Sequence, residues 1–120
     1  MNFLIVDDSA TMRKIVTVAL GGAGHSYAEA ENGKIALEKA RGTKFDCVIL
    51  DVNMPEMNGI EFLKARAADP GIAKLPVIVL TTQDEEALKN EALSLGAKAF
   101  LVKPFQKETL LATVGSVVGA

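Results

Sequence analysis

The sequence predicts an α/β domain, a doubly wound five-stranded parallel sheet with five helices. Three observations carry that prediction. Short apolar runs rich in β-branched residues recur along the chain, each is followed by a stretch with apolar residues at helical spacing, and only short joints separate them. Such alternation places helices on both faces of a parallel sheet, whose strands read as continuous apolar runs because both sides are buried. Right-handed crossovers then leave only a few doubly wound strand orders.

Phe3-Leu4-Ile5-Val6 is the first run and predicts a buried strand. Met12, Ile15, Val16, Ala19 and Leu20 then trace one helical face, with Arg13, Lys14 and Thr17 on the other side. Asp8 or Ser9 supplies the N-cap, and Gly21, Gly22 and Gly24 end that helix. Residues 26–30 form a weaker strand, since Ala and Glu are poor strand formers. Asn32-Gly33 could turn a hairpin, but Ala36, Leu37 and Ala40 downstream are helically spaced, so a helix follows. Cys47-Val48-Ile49-Leu50 is the third strand, stopping at Asp51 before a turn through Met54-Pro55, and a helix carrying Ile60, Leu63 and Ala67 follows Gly59. Val77-Ile78-Val79-Leu80 is the fourth strand; Asp84 opens a helix with Leu88, Ala92 and Leu95, closed by Gly96. Ala99-Phe100-Leu101-Val102 is the fifth strand, and Leu110, Leu111, Val114, Val117 and Val118 mark the last helix.

The 120 residues suit one domain, against about 100–200 residues for a typical one, so residues 1–120 are expected to form a single domain with no output domain. With 49% hydrophobic and 23% charged residues the chain has the make-up of a folded globule. A net charge of −2 provides no electrostatic footprint for nucleic acid. Cys47 is the single cysteine and cannot form an internal disulfide, which argues against a stapled secreted domain. No apolar run is long enough for a membrane span, and Asp7 and Asp8 cut the first one short, so no signal peptide is read. The expected setting is cytoplasmic, and His25 and Cys47 are expected to have no chemical role.

In an open α/β sheet, ligands bind beyond the carboxyl ends of the strands. The residues leaving those ends are Asp7 and Asp8, Asp51, Thr81 and Thr82, and Lys103-Pro104. Each alone is an ordinary strand exit or helix cap. Together they would crowd carboxylates against one ammonium. Two unit charges 4 Å apart repel by about 4 kcal/mol at an effective dielectric near 20, so such acids must protonate or share a cation. An all-oxygen donor set without His or Cys suits Mg²⁺ or Mn²⁺, and a site that keeps several waters suits Mg²⁺ best. A carboxylate nucleophile, a divalent metal, an ammonium and a hydroxyl are the components of phosphoryl transfer to Asp.

With these residues in view, the chain resembles the receiver domain of two-component response regulators, most closely its stand-alone, CheY-type chemotaxis members. The resemblance runs from Phe3 to about Val118. It rests on Val6-Asp7-Asp8-Ser9 with Thr11-Met12-Arg13, on Leu50-Asp51-Val52-Asn53-Met54-Pro55-Glu56-Met57-Asn58-Gly59, on Thr81, and on Val102-Lys103-Pro104-Phe105. It implies the flavodoxin-like strand order 2-1-3-4-5 and a cis Lys103-Pro104 bond. By resemblance, Asp51 is the phosphoacceptor, and Asp8, Asp51 and the backbone carbonyl of Asn53 are Mg²⁺ ligands, with Asp7 acting mainly through metal-bound water. Lys103 pairs with the phosphoryl group, and Thr81 moves to bond it. Phe100 is the switch aromatic, where chemotaxis members commonly carry Tyr; lacking the hydroxyl, it should couple more weakly. Asn53 and Gln83 occupy positions that tune lifetime, and their amides imply self-dephosphorylation in seconds to minutes.

The implied partners are a histidine kinase as phosphodonor and a downstream protein, such as the flagellar motor switch, bound through the surface of helix four, strand five and helix five; helix one with Met12 and Arg13 would face the kinase. Neither nucleic acid nor membrane is an expected partner, the expected state is monomeric, and the chain would act as a switch that catalyses only its own phosphorylation and dephosphorylation. A phosphorelay shuttle or a receiver outside chemotaxis is the alternative. A flavodoxin-type cofactor domain would need a phosphate-binding loop after strand one, where Asp7-Asp8-Ser9 stands instead, and no glycine-rich phosphate fingerprint occurs. A pseudo-receiver would lack one of the acids or the lysine, and an Asp-nucleophile phosphatase would need substrate-binding insertions.

Overall fold

The computed structural model describes residues 1–54 and 57–118. Pro55 and Glu56 of the motif after Asp51, and the turn read there, lie outside the described residues. The strands are β1 (Asn2–Val6), β2 (Ser26–Ala30), β3 (Cys47–Asp51), β4 (Val77–Thr81) and β5 (Ala99–Val102). The helices are α1 (Ala10–Gly22), α2 (Gly33–Gly42), α3 (Gly59–Ala67), α4 (Glu86–Ser94) and α5 (Lys107–Val118). Every strand pair is parallel and the order is β2-β1-β3-β4-β5, as the resemblance implied.

The two faces of the sheet explain the continuous apolar runs. Leu4, Val6, Val48, Leu50, Val77 and Val79 point into one core layer, where Ala36, Leu37, Phe62, Leu63 and Ala92 meet them from α2, α3 and α4. Phe3, Ile5, Cys47, Ile49, Ile78 and Leu80 point into the other, against Val16 and Leu20 of α1 and Leu110 and Val114 of α5. Alternate residues thus serve opposite layers, and both layers are apolar. β2 is the exception at the sheet edge. Only Ala30 is buried there, which is why its composition reads as a poor strand.

Three helices differ in detail from the sequence prediction. On α1 the buried stripe is Val16, Thr17, Ala19 and Leu20, while Ile15 is 49% exposed. The stripe is rotated toward Thr17, whose hydroxyl donates to the Lys14 carbonyl at 3.2 Å and so enters the layer satisfied. On α3 the core-facing residue near the end is Arg66, with Ala67 exposed. Before α4, residues Gln83–Glu85 form a 3₁₀ turn, because the Glu85 carboxylate accepts from the Thr82 amide at 2.8 Å and tightens the entry; the α-helix itself starts at Glu86.

Of Asp8 and Ser9, Ser9 is the cap of α1, and asparagines not read as caps from the sequence serve α2 and α3. Ser9 accepts from the Met12 amide, Asn32 from that of Ile35, and Asn58 with Glu61 completes a capping box on α3. Gly96, with φ +104°, makes the left-handed turn after α4 that other residues rarely adopt.

Candidate functional site

The order of the sheet decides where a site can form. β1 lies between β2 and β3, so the chain leaves β1 in one direction and enters β3 from the other, opening a crevice at their carboxyl ends. Asp7 and Asp8 follow β1, and Asp51 ends β3. One carboxylate oxygen from each lies within 4.8 Å of the others. Asp7 and Asp51 are buried and Asp8 is exposed, so the cluster opens to solvent on the Asp8 side.

Each acid is held by its own turn. The Asp7 amide extends the ladder to the Ala30 carbonyl, its Oδ1 accepts from the Ser9 amide at 2.9 Å, and its carbonyl accepts from Arg13 Nη1. Asp51 Oδ1 accepts from the Asn53 amide at 3.2 Å. The loop behind it is tied down by Val52, whose amide donates to the Leu80 carbonyl and whose carbonyl accepts from Gly59. Lys103 reaches both buried acids, its Nζ lying 3.3 Å from Asp7 Oδ2 and 3.4 Å from Asp51 Oδ2. The Lys103-Pro104 bond is cis, as the resemblance implied.

The electrostatics follow from burial. Desolvation first, then the charge of Asp7, pushes the Asp51 carboxyl up to about 7, while the Asn53 amide and Lys103 oppose the rise. Burial alone would depress Lys103; the charges of Asp51 and Asp7 outweigh it and hold the ammonium above its ordinary value. One ammonium therefore does not balance these acids, and the all-oxygen cluster has the donor chemistry and the charge deficit that a hard divalent cation satisfies.

Thr81 ends β4 beside this cluster and is 1% exposed. Its Oγ1 is the one buried side-chain polar atom without a hydrogen-bond partner among the described residues. Its carbonyl accepts from the Lys103 amide, linking β4 to the loop that carries the lysine. Phe100, in register with Val79, points outward at 40% exposure, and Lys89 Nζ sits 4.5 Å from its ring centroid. Asn53 and Gln83 are both exposed at the mouth. Cys47 is fully buried, and burial pushes its thiol up to about 12, which leaves it unreactive.

Arg13 is the site neighbour that periodicity misses. Helical spacing puts it on the solvent side, yet it joins the Asp7 carbonyl to Glu29, whose Oε1 is 3.0 Å from its Nε. The available signal is a cation in the first turn of a helix, where the dipole disfavours it and a specific anionic partner is needed.

The response regulator receiver domain family matches residues 3–115. The chain belongs to this family. The receiver is 39% identical over 115 residues to Protein PilH of Pseudomonas aeruginosa, covering 96% of this chain and 95% of that protein. It is 42% identical over 116 residues to the chemotaxis protein CheY of Thermotoga maritima, covering 95% and 94%. Among solved structures, Vibrio cholerae CheY4 superposes with a TM-score of 0.90 at 42% identity, with 97% of each chain covered. A putative response regulator from Chloroflexus aurantiacus superposes with a TM-score of 0.93 at 30% identity, covering 99% of this chain and 98% of that one. The receiver is accordingly a signalling switch of two-component type that accepts a phosphoryl group, not a classical enzyme. No helix among its described residues is long and apolar enough to cross a membrane.

Proposed function

We propose that Asp51 is the phosphoacceptor of a stand-alone receiver whose output is a change of protein-binding surface. The observation that supports this most is the pairing of a buried Asp51 with Lys103 at 3.4 Å inside a cluster of three acids. An Asp51 oxygen attacks the phosphorus of a phosphohistidine on a partner kinase. The P–O bond forms as the P–N bond breaks, and the imidazole leaves. Mg²⁺ held by Asp8, Asp51 and the Asn53 carbonyl, with Asp7 acting through a bound water, would neutralise phosphoryl oxygens.

Lys103 turns from Asp51 to the new phosphoryl oxygens, a charge-assisted contact. Thr81 has a hydroxyl with no partner to lose, so it is free to donate to the phosphoryl group. Its movement vacates space toward β5, which Phe100 fills by leaving Lys89 and turning inward. The α4–β5–α5 surface changes with it. Asn53 and Gln83, as amides at the mouth, do not repel water or hydroxide, and the acyl phosphate decays within seconds to minutes.

Coverage of 94–95% of PilH and of the Thermotoga CheY supports reading residues 1–120 as a single receiver domain. The names of the chemotaxis relatives support a chemotaxis pathway, and to this we add a downstream protein such as the flagellar motor switch as target and a cytoplasmic, monomeric receiver. Incubation with Mg²⁺ and acetyl phosphate should label the wild type and leave Asp51→Asn unlabelled. Mg²⁺-dependent labelling undiminished in Asp51→Asn would reassign the acceptor, and a phosphoryl half-life of hours would reject the role given to Asn53 and Gln83.

A further inference from the structure

Arg66 lies on the core face of α3, three residues after Leu63 and four after Phe62. It is 4% exposed. Its Nε donates to the Leu75 carbonyl at 2.9 Å, and this is its one side-chain hydrogen bond among the described residues. Burial holds the guanidinium below its ordinary range, and no carboxylate acts to raise it. The carboxyl end of α4 does not consume the remaining donors. The carbonyls of Glu91, Ala92 and Leu93 accept from the backbone amides of Leu95, Ala97 and Gly96. Nη1 and Nη2 lie over Gly96, at 3.6 and 3.8 Å from where a Cβ would stand.

These donors line a cavity of about 450 Å³ at the amino-terminal edge of the sheet, opposite the acidic cluster. Lys74, just before β4, and Lys98, just before β5, contribute the other charges, and no acid is among the lining residues. Among the described residues Arg66 is the one arginine without an ion pair, Arg13 and Arg41 having theirs, and Lys74 and Lys98 make none either. The Arg66 stem and Nε are held in the core while Nη1 and Nη2 stay unbonded among the described residues and open to the cavity, where an oxyanion would meet no competing acid. The planar guanidinium fork matches an oxyanion, and three positive charges favour a multivalent one. The space exceeds that of a bare phosphate and falls in the range of small-molecule sites.

We propose that this pocket binds a small multivalent oxyanion, either free phosphate or the phosphate of a small phosphorylated compound. The site is independent of the Asp51 chemistry.

The test is an amide NMR titration of the full chain in EDTA at fixed ionic strength, with inorganic phosphate in one arm and glycerol 3-phosphate in the other. Saturable shifts at Leu75, Gly96 and Lys98 are expected. The double variant Lys74→Gln/Lys98→Gln, which leaves the core untouched, should weaken that saturation by about tenfold or more. Equal affinity in the two arms identifies the free ion as sufficient, and tighter glycerol 3-phosphate identifies an organic phosphate. Shifts that rise linearly without saturating, or an unchanged dissociation constant in the double variant, overturn the proposal.

Discussion

Lys103 Nζ stands 3.4 Å from Asp51 Oδ2 although β4 separates the strands that carry them. The lysine extends from the loop after β5 past the end of β4 to reach β3. The contact therefore depends on three parallel strands ending at one level, and it opposes the rise that burial and Asp7 impose on the Asp51 carboxyl.

Removing that ammonium should make Asp51 a still weaker acid. In Lys103→Met the burial and Asp7 contributions remain while a stabilising charge is lost. We expect the proton affinity of Asp51 to rise by about tenfold. Carboxyl ¹³C NMR titration of the metal-free protein reads this directly. An Asp51 midpoint that stays put or falls would contradict the geometry.

Stability should depend on pH in the direction opposite to that of a salt-bridged acid. Asp51 titrates near 7 in the fold against an ordinary value of 3.8, so the native state keeps a proton that the unfolded chain releases between them. The unfolding free energy of the metal-free protein must then fall as pH rises through that window and level off above it, by on the order of a few kcal/mol. Mg²⁺ binds the ionised form, so saturating metal should flatten or reverse the slope. Urea denaturation at about pH 5 and about pH 8, with Mg²⁺ or with EDTA, distinguishes the cases. A flat metal-free profile would dismiss the burial argument.

Thr81→Val separates stability from switching. The hydroxyl is buried and unpartnered, so replacing it by a methyl of similar shape should stabilise the unphosphorylated protein by about 1 kcal/mol. The same change removes the donor that would answer the phosphoryl group. Beryllofluoride should then bind without shifting the amides around Phe100. Destabilisation by more than the isosteric change allows would mean that Oγ1 has a partner in solution.

Two glycines support the acceptor loop by close approach. A Cβ at Gly33 would lie 2.3 Å from the Met57 carbonyl oxygen, and one at Gly59 would lie 2.7 Å from both the Asp51 carbonyl oxygen and Val52 Cα. The obstructing atoms are backbone, so the loop itself must move. Gly33→Ala and Gly59→Ala should each cost about 1–3 kcal/mol or more in chemical denaturation and also weaken Mg²⁺ affinity. Wild-type values for both measurements would show that the loop yields freely.

Much of this was legible from residue order. Apolar runs ending in Asp7, Asp51, Thr81 and Lys103 announce both strands and exits, because a buried strand tolerates charge only where it leaves the sheet. Helix faces were read less well. Ile15 and Thr17 exchange places, since a threonine can be buried once a backbone carbonyl satisfies it, and Arg66 lays its stem in the core with Nε on the Leu75 carbonyl and its other donors turned to a pocket. The partners of Arg13 lie just after β1 and on β2, so helical periodicity carries no sign of them.

Residue order alone carried the alternation of strands and helices, a cap at Asp8 or Ser9, and the acids, hydroxyl and lysine at the strand ends. These are local matters of side-chain chemistry and spacing. Only the tertiary structure decided that Asp51 is buried enough to titrate near 7, that the Thr81 hydroxyl is left without a partner, that Phe100 faces outward over Lys89, and that Arg66 opens onto a cationic pocket. Each depends on desolvation and on atoms far apart in the chain, which are settled only when the layers close on the sheet.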